Sequence, residues 1–460
     1  MMRSLFSGVS GLKSHQTRMD TIGNNIANVN TTGFKSSRTT FADTLSQTMT
    51  GASSPSGNLG GTNPKQIGLG TGVASIDMIF TDGSVQSTGK NTDLCLSGNG
   101  LFVVNNGNQR FYTRDGAFEF DAEGNYVLPG SGLFVQGWMG ENGTINTSGA
   151  AGNIQIAAGK SMAAAASSIA TYANNLNAAA LTIASISGGT GGVASSSNPV
   201  TLTMSDGSKV TETSGKYTVG YSLPVTTTLT AYDTLGNAHN IPVYFTKTKT
   251  DSTNGNQWTV SVATDGSGSN TIKEDDGTTT TITMTDAILQ FTTDGKLQSG
   301  SSSVDLTLQN GAQASQTITL TMDSLTQYAG NSTINGKANG NAAGTLSSVS
   351  VDSSGIITGT YTNGVKQAEA QVAIAQFTNA SGLLKTGNSL YQESNNSGTA
   401  NIKTAADLGV TITPSALEMS NVDIANEFSD MIVTQRGFQS NSKIITVGDE
   451  MLETMINMKR

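Results

Sequence analysis

The chain has 460 residues, with 24 basic and 33 acidic side chains, two histidines, one cysteine and a net charge of −9. This length predicts two to four domains, and the 12% charged fraction is about half the usual ~25%, which argues against a highly charged disordered chain. The acidic balance without a basic run argues against a nucleic-acid partner, and a single cysteine excludes an intramolecular disulfide framework or a Cys/His zinc cluster.

Targeting segments are not evident in the sequence. No stretch reaches the ~20 apolar residues that a membrane-spanning helix needs. The first residues, MMRSLFSGVSGLKSHQ, contain no apolar block of signal-peptide length and no clear cleavage site. We therefore expect no membrane insertion, and either a cytoplasmic protein or one exported without a cleaved signal peptide.

Residues 1–30 are predicted to form a helix that ends near residues 28–30. Apolar side chains recur along it at a seven-residue spacing: Leu5, Leu12, Met19 and Ile26. A second face carries only small residues: Ser4, Ser7, Gly8, Gly11 and Ser14. Glycine in a helix interior costs about 0.5–1 kcal/mol relative to alanine, so this face is useful only if another backbone packs closely against it.

The C-terminal segment predicts a longer helix. Ser420 and Asp423 match a capping box, which places the helix start near Ser420 and its end near residue 458. Apolar residues repeat every seven positions from just before that start: Leu417, Ile424, Met431, Phe438, Ile445 and Leu452. The neighbouring row is mostly polar, and such a narrow stripe is typical of coiled coils.

The two ends carry opposite charge. Residues 417–460 contain seven acids and four bases, whereas residues 1–30 contain three bases and one acid. We therefore expect the two helices to pack together and bring the termini side by side. The alternative is two amphipathic helices on an ordinary globular core.

Between the ends, the pattern changes to strands and turns. Residues 31–75 are predicted as loop, because their central stretch GASSPSGNLGGTNPK has almost no apolar residue. Strand patterns follow in residues 226–232, 241–246, 258–263, 279–284, 304–308, 317–322, 349–351, 356–361 and 371–377. The alanine-rich residues 162–180 permit either a helix or an extended segment.

This layout predicts mainly β domains with a terminal α-helical coiled-coil pair, nested so that discontinuous domains are built from both ends of the chain. The predicted divisions are a terminal helical domain (1–30 with 417–460), a linker region (31–72 with 396–416), an inner β domain (73–150 with 341–395) and an outer β domain (151–340). The outer domain is either one domain or two.

Candidate chemical sites all have simpler structural interpretations, and we predict no catalytic, cofactor-binding or metal-binding residues. Ser10 and Lys13 have Ser-x-x-Lys spacing but lie on the heptad helix. The glycine-rich residues 68–72 precede no helix pattern, as a phosphate-binding loop would require. Asp121, Glu123 and Asn125 alternate as cation ligands do, but a hairpin turn explains them better. Cys95 is expected to pack as a small apolar residue.

Several long motifs resemble the signatures of bacterial flagellar rod and hook proteins. They are residues 23–35 (GNNIANVNTTGFK), 92–104 (TDLCLSGNGLFVV), 112–118 (YTRDGAF), 417–425 (LEMSNVDIA) and 435–438 (QRGF). The family motif residues are Asn24, Asn25, Asn28, Gly33, Phe34, Asn421, Asp423, Gln435 and Arg436. Residues 230–239 (TAYDTLGNAH) and the long central insertion resemble the hook members in particular. Cys95 and the pair Gly437-Phe438 depart from the usual family residues.

The resemblance implies a structural subunit without enzymatic activity or cofactor, which self-assembles into the curved tubular flagellar hook, the universal joint that links rod to filament. The apolar rows of the terminal helices would then be assembly residues. The implied partners are further copies of the chain, the rod, the hook–filament junction proteins, the hook cap and the type III export apparatus. The implied location is the extracellular flagellum. The alternatives are a distal rod subunit and, in a different class, a β-rich surface binding or adhesin module.

Overall fold

The computed structural model describes residues 2–55, 57, 60–265, 267–274 and 277–458. Met1, Lys459 and Arg460, which the predicted terminal segments include, lie outside the described residues.

The first half of the chain begins with a helix and continues as short strands. Its elements are α1 (Met2–Ala27), β1 (Ser37–Asp43), β2 (Ser46–Thr50), β3 (Lys65–Gly68), β4 (Thr71–Met78), β5 (Val85–Ser87), β6 (Leu94–Ser97), β7 (Leu101–Asn105), β8 (Arg110–Thr113), β9 (Glu119–Phe120), β10 (Tyr126–Leu128), β11 (Leu133–Glu141), β12 (Thr144–Ile145), β13 (Gly152–Asn153), β14 (Ser161–Met162), β15 (Ile169–Asn177), β16 (Ile183–Gly188), β17 (Val193–Ala194), β18 (Val200–Met204), β19 (Lys209–Glu212) and β20 (Gly215–Lys216).

The second half continues in strands and ends in the longer helix. Its elements are β21 (Val225–Tyr232), β22 (Ala238–Lys249), β23 (Gln257–Ser261), β24 (Ser269–Lys273), β25 (Thr279–Met284), β26 (Ala287–Phe291), β27 (Leu297–Ser299), β28 (Ser302–Thr307), β29 (Ser315–Tyr328), β30 (Asn335–Ala338), β31 (Gly344–Val351), β32 (Ile356–Tyr361), β33 (Lys366–Val372), β34 (Ile374–Gln376), a 3₁₀ turn (Ala380–Gly382), β35 (Leu384–Gly387), β36 (Leu390–Gln392), β37 (Asn401–Lys403), β38 (Thr411–Pro414), β39 (Ala416–Glu418) and α2 (Ile424–Met458).

The chain divides into two compact units. Unit 1 comprises Met1–Lys160, Ser347–Thr360 and Lys366–Arg460, and unit 2 comprises Ser161–Leu346 and Tyr361–Val365. The finer division into terminal helices, linker and inner β domain stays a prediction.

Unit 1 is built by strands from both ends of the sequence. β11 pairs antiparallel with β7 on one side and with β33 on the other, and β7 also pairs with β8 and β34. The late strands β38 and β39 pair with the early strands β6 and β5. Its apolar core includes Val103, Tyr112, Trp138, Ala375 and Tyr391. The mainly-β fold with terminal helices, formed by a chain that returns on itself, is thus confirmed.

The loop predicted for residues 31–75 is wrong, because this segment forms antiparallel strand pairs. β1 pairs with β4, and β2 pairs with β3 further out. All described side chains from Phe41 to Leu69 are exposed. Strands that bury neither face need no alternation of apolar and polar residues, so the part from Phe41 to Leu69 carried no strand signal.

Unit 2 contains two β-sheets that enclose one core. The six-stranded sheet has the order β24-β25-β28-β29-β15-β30 and the five-stranded sheet the order β21-β22-β23-β26-β27. Their shared core includes Tyr172, Phe245, Trp258, Phe291 and Ile318. A smaller sheet, β16-β18-β19, has a separate core around Val200 and Leu202.

The strands predicted for the middle of the chain are confirmed, and residues 162–180 are extended rather than helical. They contain β14 and β15, and Ala170, Tyr172 and Leu176 turn their side chains into the core. Burial at every second residue at the start of β15 outweighs the helical propensity of alanine.

Candidate assembly site: the terminal helices and their root

Helices α1 and α2 pack together in antiparallel fashion. Near one end of the pair Arg18 forms a 3.1 Å ion pair with Asp430, and the Asn25 amide donates to Glu427 at 2.9 Å. At the other end Leu5 lies against Gly448. The predicted pairing of the two ends is therefore confirmed, and it joins the basic helix to the acidic one.

Small residues allow the two backbones to approach closely. A Cβ atom added at Gly8 would lie 3.5 Å from the Asn441 carbonyl oxygen, and one added at Gly11 would lie 2.7 Å from the Asn441 side chain. A Cβ at Gly448 would lie 2.7 Å from Leu5. The small face predicted for the first helix thus meets a partner backbone, as its composition required.

The same helix also packs on the hairpin of β1 and β4. Ser14 Oγ donates to the Thr71 carbonyl at 3.3 Å, and the hydroxyls of Thr21 and Thr39 lie 3.0 Å apart. The Asn25 amide donates to the Ser37 carbonyl at 2.8 Å and its oxygen accepts from the Ser37 N–H at 3.0 Å. Polar side chains therefore hold α1 between α2 and a hairpin that the sequence did not predict.

The predicted apolar rows lie on the helices but are not their most buried positions. Seven of these residues are half-buried: Leu5, Leu12, Met19, Ile26, Met431, Ile445 and Leu452. Phe438 is 37% exposed, and Ile424 opens α2 with 45% exposure. Leu417 lies in β39, ahead of α2, and was predicted to lie just before the helix.

The buried side of α2 is a different row at the same spacing. Thr434 and Gly448 are its buried residues. The half-buried Glu427 and Asn441 belong to the same row, which therefore repeats every seven residues from position 427 to position 448. This polar and small row matches the small face of α1. The seven-residue spacing of this row could have predicted the buried side of α2. It was missed because the sequence was searched for apolar repeats, and this row consists of polar and small residues.

Helix α2 begins later than the capping box predicted. Asp423, rather than Ser420, caps the helix, because its carboxylate accepts from the backbone N–H groups of Ala425 at 2.9 Å and Asn426 at 3.3 Å. Ser420 lies before the helix and accepts from Val422. The chain stays extended to this point because Glu418 and Asn421 are held by distant partners.

Those partners form a buried polar cluster, the helix root, which consists of Lys35, Asp82, Arg114, Glu418 and Asn421. The Glu418 carboxylate lies 2.7 Å from Lys35 Nζ and 3.1 Å from Arg114 Nη1, and all three side chains are 1% exposed. Asp82, which is 43% exposed, lies 3.5 Å from Arg114. The root therefore joins the residues just after α1 to those just before α2.

Main-chain hydrogen bonds complete the root. Glu418 Oε1 accepts from the Gly83 N–H, and the Glu418 carbonyl accepts from the Gly33 N–H, each at 2.8 Å. Asn421 accepts from the Ser36 N–H and donates to the Ile79 carbonyl, also at 2.8 Å. The segment that follows α1 and the segment that precedes α2 are thus fixed to the same part of unit 1.

Burial shapes the proton equilibria in the root. The pKa of Lys35 is lowered by burial and by the nearby Arg114, although Glu418 partly offsets both. Burial and the negative charge of Glu418 raise the pKa of the Cys95 thiol to about 11. Cys95 is 1% exposed in β6, in agreement with its predicted role as a packing residue.

Several family-motif residues of the first segment surround this root. Gly33 has φ +64°, and a Cβ there would lie 2.5 Å from the Asp115 nitrogen, so glycine is required. Phe34 is buried beneath the Lys385 ammonium, which lies 3.9 Å from the ring centroid. Asn28 donates to the Asn24 carbonyl at 2.9 Å, where α1 ends.

The motif residues Gln435 and Arg436 lie instead on the exposed side of α2. Arg436 Nη1 donates to Gln439 at 3.1 Å on the same helix. The motif therefore includes one group of residues that organises the root and another that faces outward.

An uncovered apolar stripe runs along the C-terminal half of α2. Ile444, Val447, Met451, Met455 and Met458 follow each other at three- and four-residue spacing, so they share one side of the helix. Their exposed fractions are 45, 40, 46, 49 and 81%. On α1, Phe6 is 66% exposed. Pairing with α1 therefore covers only one side of the longer helix.

The candidate chemical sites take structural roles. The Asp121 carboxylate accepts from the N–H groups of Glu123 and Asn125 in the hairpin turn between β9 and β10. Ser10 donates to the Ser7 carbonyl on α1. Among the described residues, no group of His, Cys, Asp and Glu could hold a metal ion, and no helix is both long and apolar enough to cross a membrane.

The geometry defines a class of protein. Two terminal helices leave a common buried root, and the longer one presents an apolar side to whatever lies next to it. An exposed apolar side of this kind is typical of a structural subunit that packs against other protein surfaces.

Four family models match consecutive parts of the chain. They are described as flagella basal body rod protein (residues 5–35), flagellar hook protein FlgE/F/G D1 domain (95–173), flagellar basal body protein FlaE D2 domain (220–341) and flagellar basal body rod FlgEFG protein C-terminal (413–458).

Curated relatives match over the whole length. The flagellar hook protein FlgE of Treponema pallidum is 37% identical, with 100% of both chains covered. FlgE of Salmonella typhimurium is 32% identical over 99% of this chain and 100% of that protein. The flagellar basal-body rod protein FlgG of Bacillus subtilis is 29% identical, again over 100% of both chains.

The chain belongs to the flagellar hook protein FlgE family, within the wider group of flagellar rod and hook proteins. It is a structural, non-enzymatic subunit of the hook, it is located in the flagellum, and its family implies polymeric assembly.

Proposed function

We propose that copies of this chain assemble through their terminal helices into the curved tube of the hook, which acts as the universal joint between rod and filament. In this proposal the segments 1–30 and 417–460 line the inner wall, residues 73–150 and 341–395 build the middle of the tube, and residues 151–340 form its outer part. Residues 31–72 and 396–416 connect the helices to the rest.

The uncovered stripe of α2 carries this proposal. A helix of 35 residues is about 52 Å long at 1.5 Å per residue. Five large apolar side chains along its second half remain 40–81% exposed after α1 has packed against it. Contiguous apolar surface of this kind marks an interaction site, and burying it is worth about 25 cal/mol per Å². The terminal helices of a neighbouring copy of the chain would cover this stripe.

The residues of the helices divide into two roles under this proposal. The half-buried rows, such as Leu12 and Ile445, hold the intramolecular pair, and the uncovered stripe makes contacts between subunits. The motif residues around the root, such as Asn25 and Asn421, orient the pair. Gln435 and Arg436 lie on the exposed side of α2 and make polar contacts with the neighbouring subunit beside the apolar stripe.

A polymerisation assay tests the proposal. We expect the purified chain to form curved tubes in negative-stain micrographs. Met451→Glu places a charge in the middle of the stripe and should abolish the tubes, whereas Glu450→Gln, at an exposed neighbouring position, should leave them intact. Straight rods would contradict the hook assembly in favour of a distal rod subunit. Tubes formed equally by Met451→Glu would contradict the role of the stripe.

The wider partners follow from the same assignment. We propose that the assembled tube contacts the rod, the hook–filament junction proteins and the hook cap, and that the subunit leaves the cell through the flagellar type III export apparatus without a cleaved signal peptide. Family membership supports these partners. Intact-mass measurement of the chain from isolated hooks tests the export route, since a processed N-terminus would contradict it.

A further inference from the structure

Two turns of the chain share one sequence pattern but differ in their surroundings. Asp121-Ala-Glu-Gly124-Asn125 and Asp233-Thr-Leu-Gly236-Asn237 both have a glycine at positive φ, +83° and +91°. In both, the aspartate accepts from the backbone N–H groups two and four residues later and from the asparagine amide. Asp, Gly and Asn therefore suffice to form this turn.

The turn at Asp233 has additional partners that the turn at Asp121 lacks. Asn310 Nδ2 donates to Asp233 Oδ2 at 2.7 Å, and His239 Nε2 lies 3.2 Å from the same oxygen. His239 Nδ1 lies 2.8 Å from Glu274 Oε1, with the Thr280 hydroxyl 3.5 Å away. At the corresponding position of the first turn stands Val127.

His239 lies between two carboxyl groups, those of Asp233 and Glu274. Burial raises the pKa of the Asp233 carboxyl, but hydrogen bonds from Asn237, Asn310 and His239 outweigh this and hold it well below its ordinary value. Both ring nitrogens of His239 thus lie within hydrogen-bond distance of a carboxyl oxygen. The side chains of His239 and Asp233 are 2% and 0% exposed, so their contact is buried.

The braced turn lies where the chain enters and leaves unit 2. A Cβ at Gly236 would lie 2.8 Å from Ala164 Cβ and 3.2 Å from the Ala343 nitrogen, so the turn touches the entering and the leaving segment at once. Next to it, the Ser167 N–H donates to the Tyr232 carbonyl at 2.8 Å, and the Tyr232 N–H donates to Ser167 Oγ at 2.9 Å.

The two segments also pair with each other. Ala165 and Asn341 exchange two backbone hydrogen bonds of 3.0 Å. Asn339 Oδ1 accepts from the N–H groups of Ser168 and Ile169. The entry segment (residues 163–168) and the exit segment (residues 339–343) are thus joined to one another and to the turn.

We propose that Asp233 and His239 form a buried hydrogen-bonded brace, anchored by Glu274 and Asn310, that fastens the entry and exit segments to the sandwich of unit 2. The brace makes the base of the unit rigid, so that force applied through these segments moves the whole unit as one body. This is a positioning role, and it does not depend on the proposed assembly.

Hydrogen exchange of the full chain tests the positioning role. Asp233→Asn keeps an oxygen that can accept the backbone N–H groups but removes the carboxylate that contacts His239 and Asn310. We expect exchange in residues 163–168 and 339–343 to accelerate at least tenfold, while strand β23 changes less than twofold. Asp121→Asn, the matched change in the other turn, should leave both segments of unit 2 unaltered.

Uniform acceleration across unit 2, or none, would overturn the positioning role. Asn310→Ala provides a milder variant should Asp233→Asn prevent folding. It removes a single hydrogen bond to Asp233, and we expect the same local pattern at about threefold. If Asn310→Ala instead left the entry and exit segments unchanged, the brace would also be refuted.

Discussion

Replacing Glu418 by glutamine should destabilise unit 1 strongly. The carboxylate is 1% exposed and contacts two buried cations, Lys35 at 2.7 Å and Arg114 at 3.1 Å. Glutamine keeps the size of the side chain but leaves the two cations with only the half-exposed Asp82 as a counter-charge. Removing one partner of a buried ion pair costs about 3–5 kcal/mol. A loss of this order is a large part of the usual stability of a domain.

The two tryptophans allow unit 1 to be followed on its own. Trp138 lies in the core of unit 1 and Trp258 in the core of unit 2. In a Trp258→Phe background, fluorescence during guanidinium unfolding therefore reports on unit 1. The matched control is Glu119→Gln, which breaks the ion pair with Lys90, whose two side chains are 47% and 50% exposed. Such a surface pair contributes about 0–1 kcal/mol.

The pH dependence gives an independent check. The pKa of Lys35 is already below its ordinary value of 10.5, and Glu418 is the group that keeps it from falling further. Between the lowered value and 10.5 the folded chain binds fewer protons than the unfolded chain, so stability increases with pH. The deficit of Glu418→Gln relative to wild type should narrow as pH rises from 7 towards 10. A loss below about 1 kcal/mol, or one equal to that of Glu119→Gln, would refute this account of the root.

Three further outcomes follow from the contacts. Gly33→Ala should destabilise unit 1 by more than Gly107→Ala in the same fluorescence assay, because both have positive φ but only Gly33 meets a backbone, at 2.5 Å; equal losses would count against the close approach. Gly11→Leu should separate the two helices and reduce polymerisation. The control Gly23→Ala, where an added Cβ has nothing within 4 Å, should raise helicity in circular dichroism and leave polymerisation intact. Normal polymerisation of Gly11→Leu would contradict the close packing. Cys95, with a pKa of about 11, should resist iodoacetamide at pH 8 in the folded chain and react on unfolding; fast labelling of native protein would be inconsistent with its burial.

Periodic features were predictable because they depend on local spacing. The two helices follow from seven-residue repeats, and most strands of unit 2 alternate buried and exposed residues, as in β22 and β29. The packing of the two terminal helices against each other was also predictable, because the two ends of the chain carry opposite charge.

Features that depend on distant partners were not predictable in the same way. The helix start moved from Ser420 to Ile424 because Glu418 and Asn421 bind Lys35, Ser36 and residues near position 80. The root itself has no local signature, since its members are spread over the sequence. The strands between Phe41 and Leu69 escaped prediction because their side chains are exposed. The buried row of α2 escaped prediction because it consists of polar and small residues.

The buried charges of the helix root lie where segments distant in sequence meet. Lys35 and Glu418 are 383 residues apart, and Arg114 reaches Glu418 from a third segment. Burying such groups is costly unless every partner arrives, so a chain with the wrong strand pairing would leave uncompensated charge in its interior. The Ser- and Thr-rich strands, by contrast, offer many similar edges that could pair in other ways. We infer that the root favours the nested topology over these alternatives, in addition to any stability that it contributes.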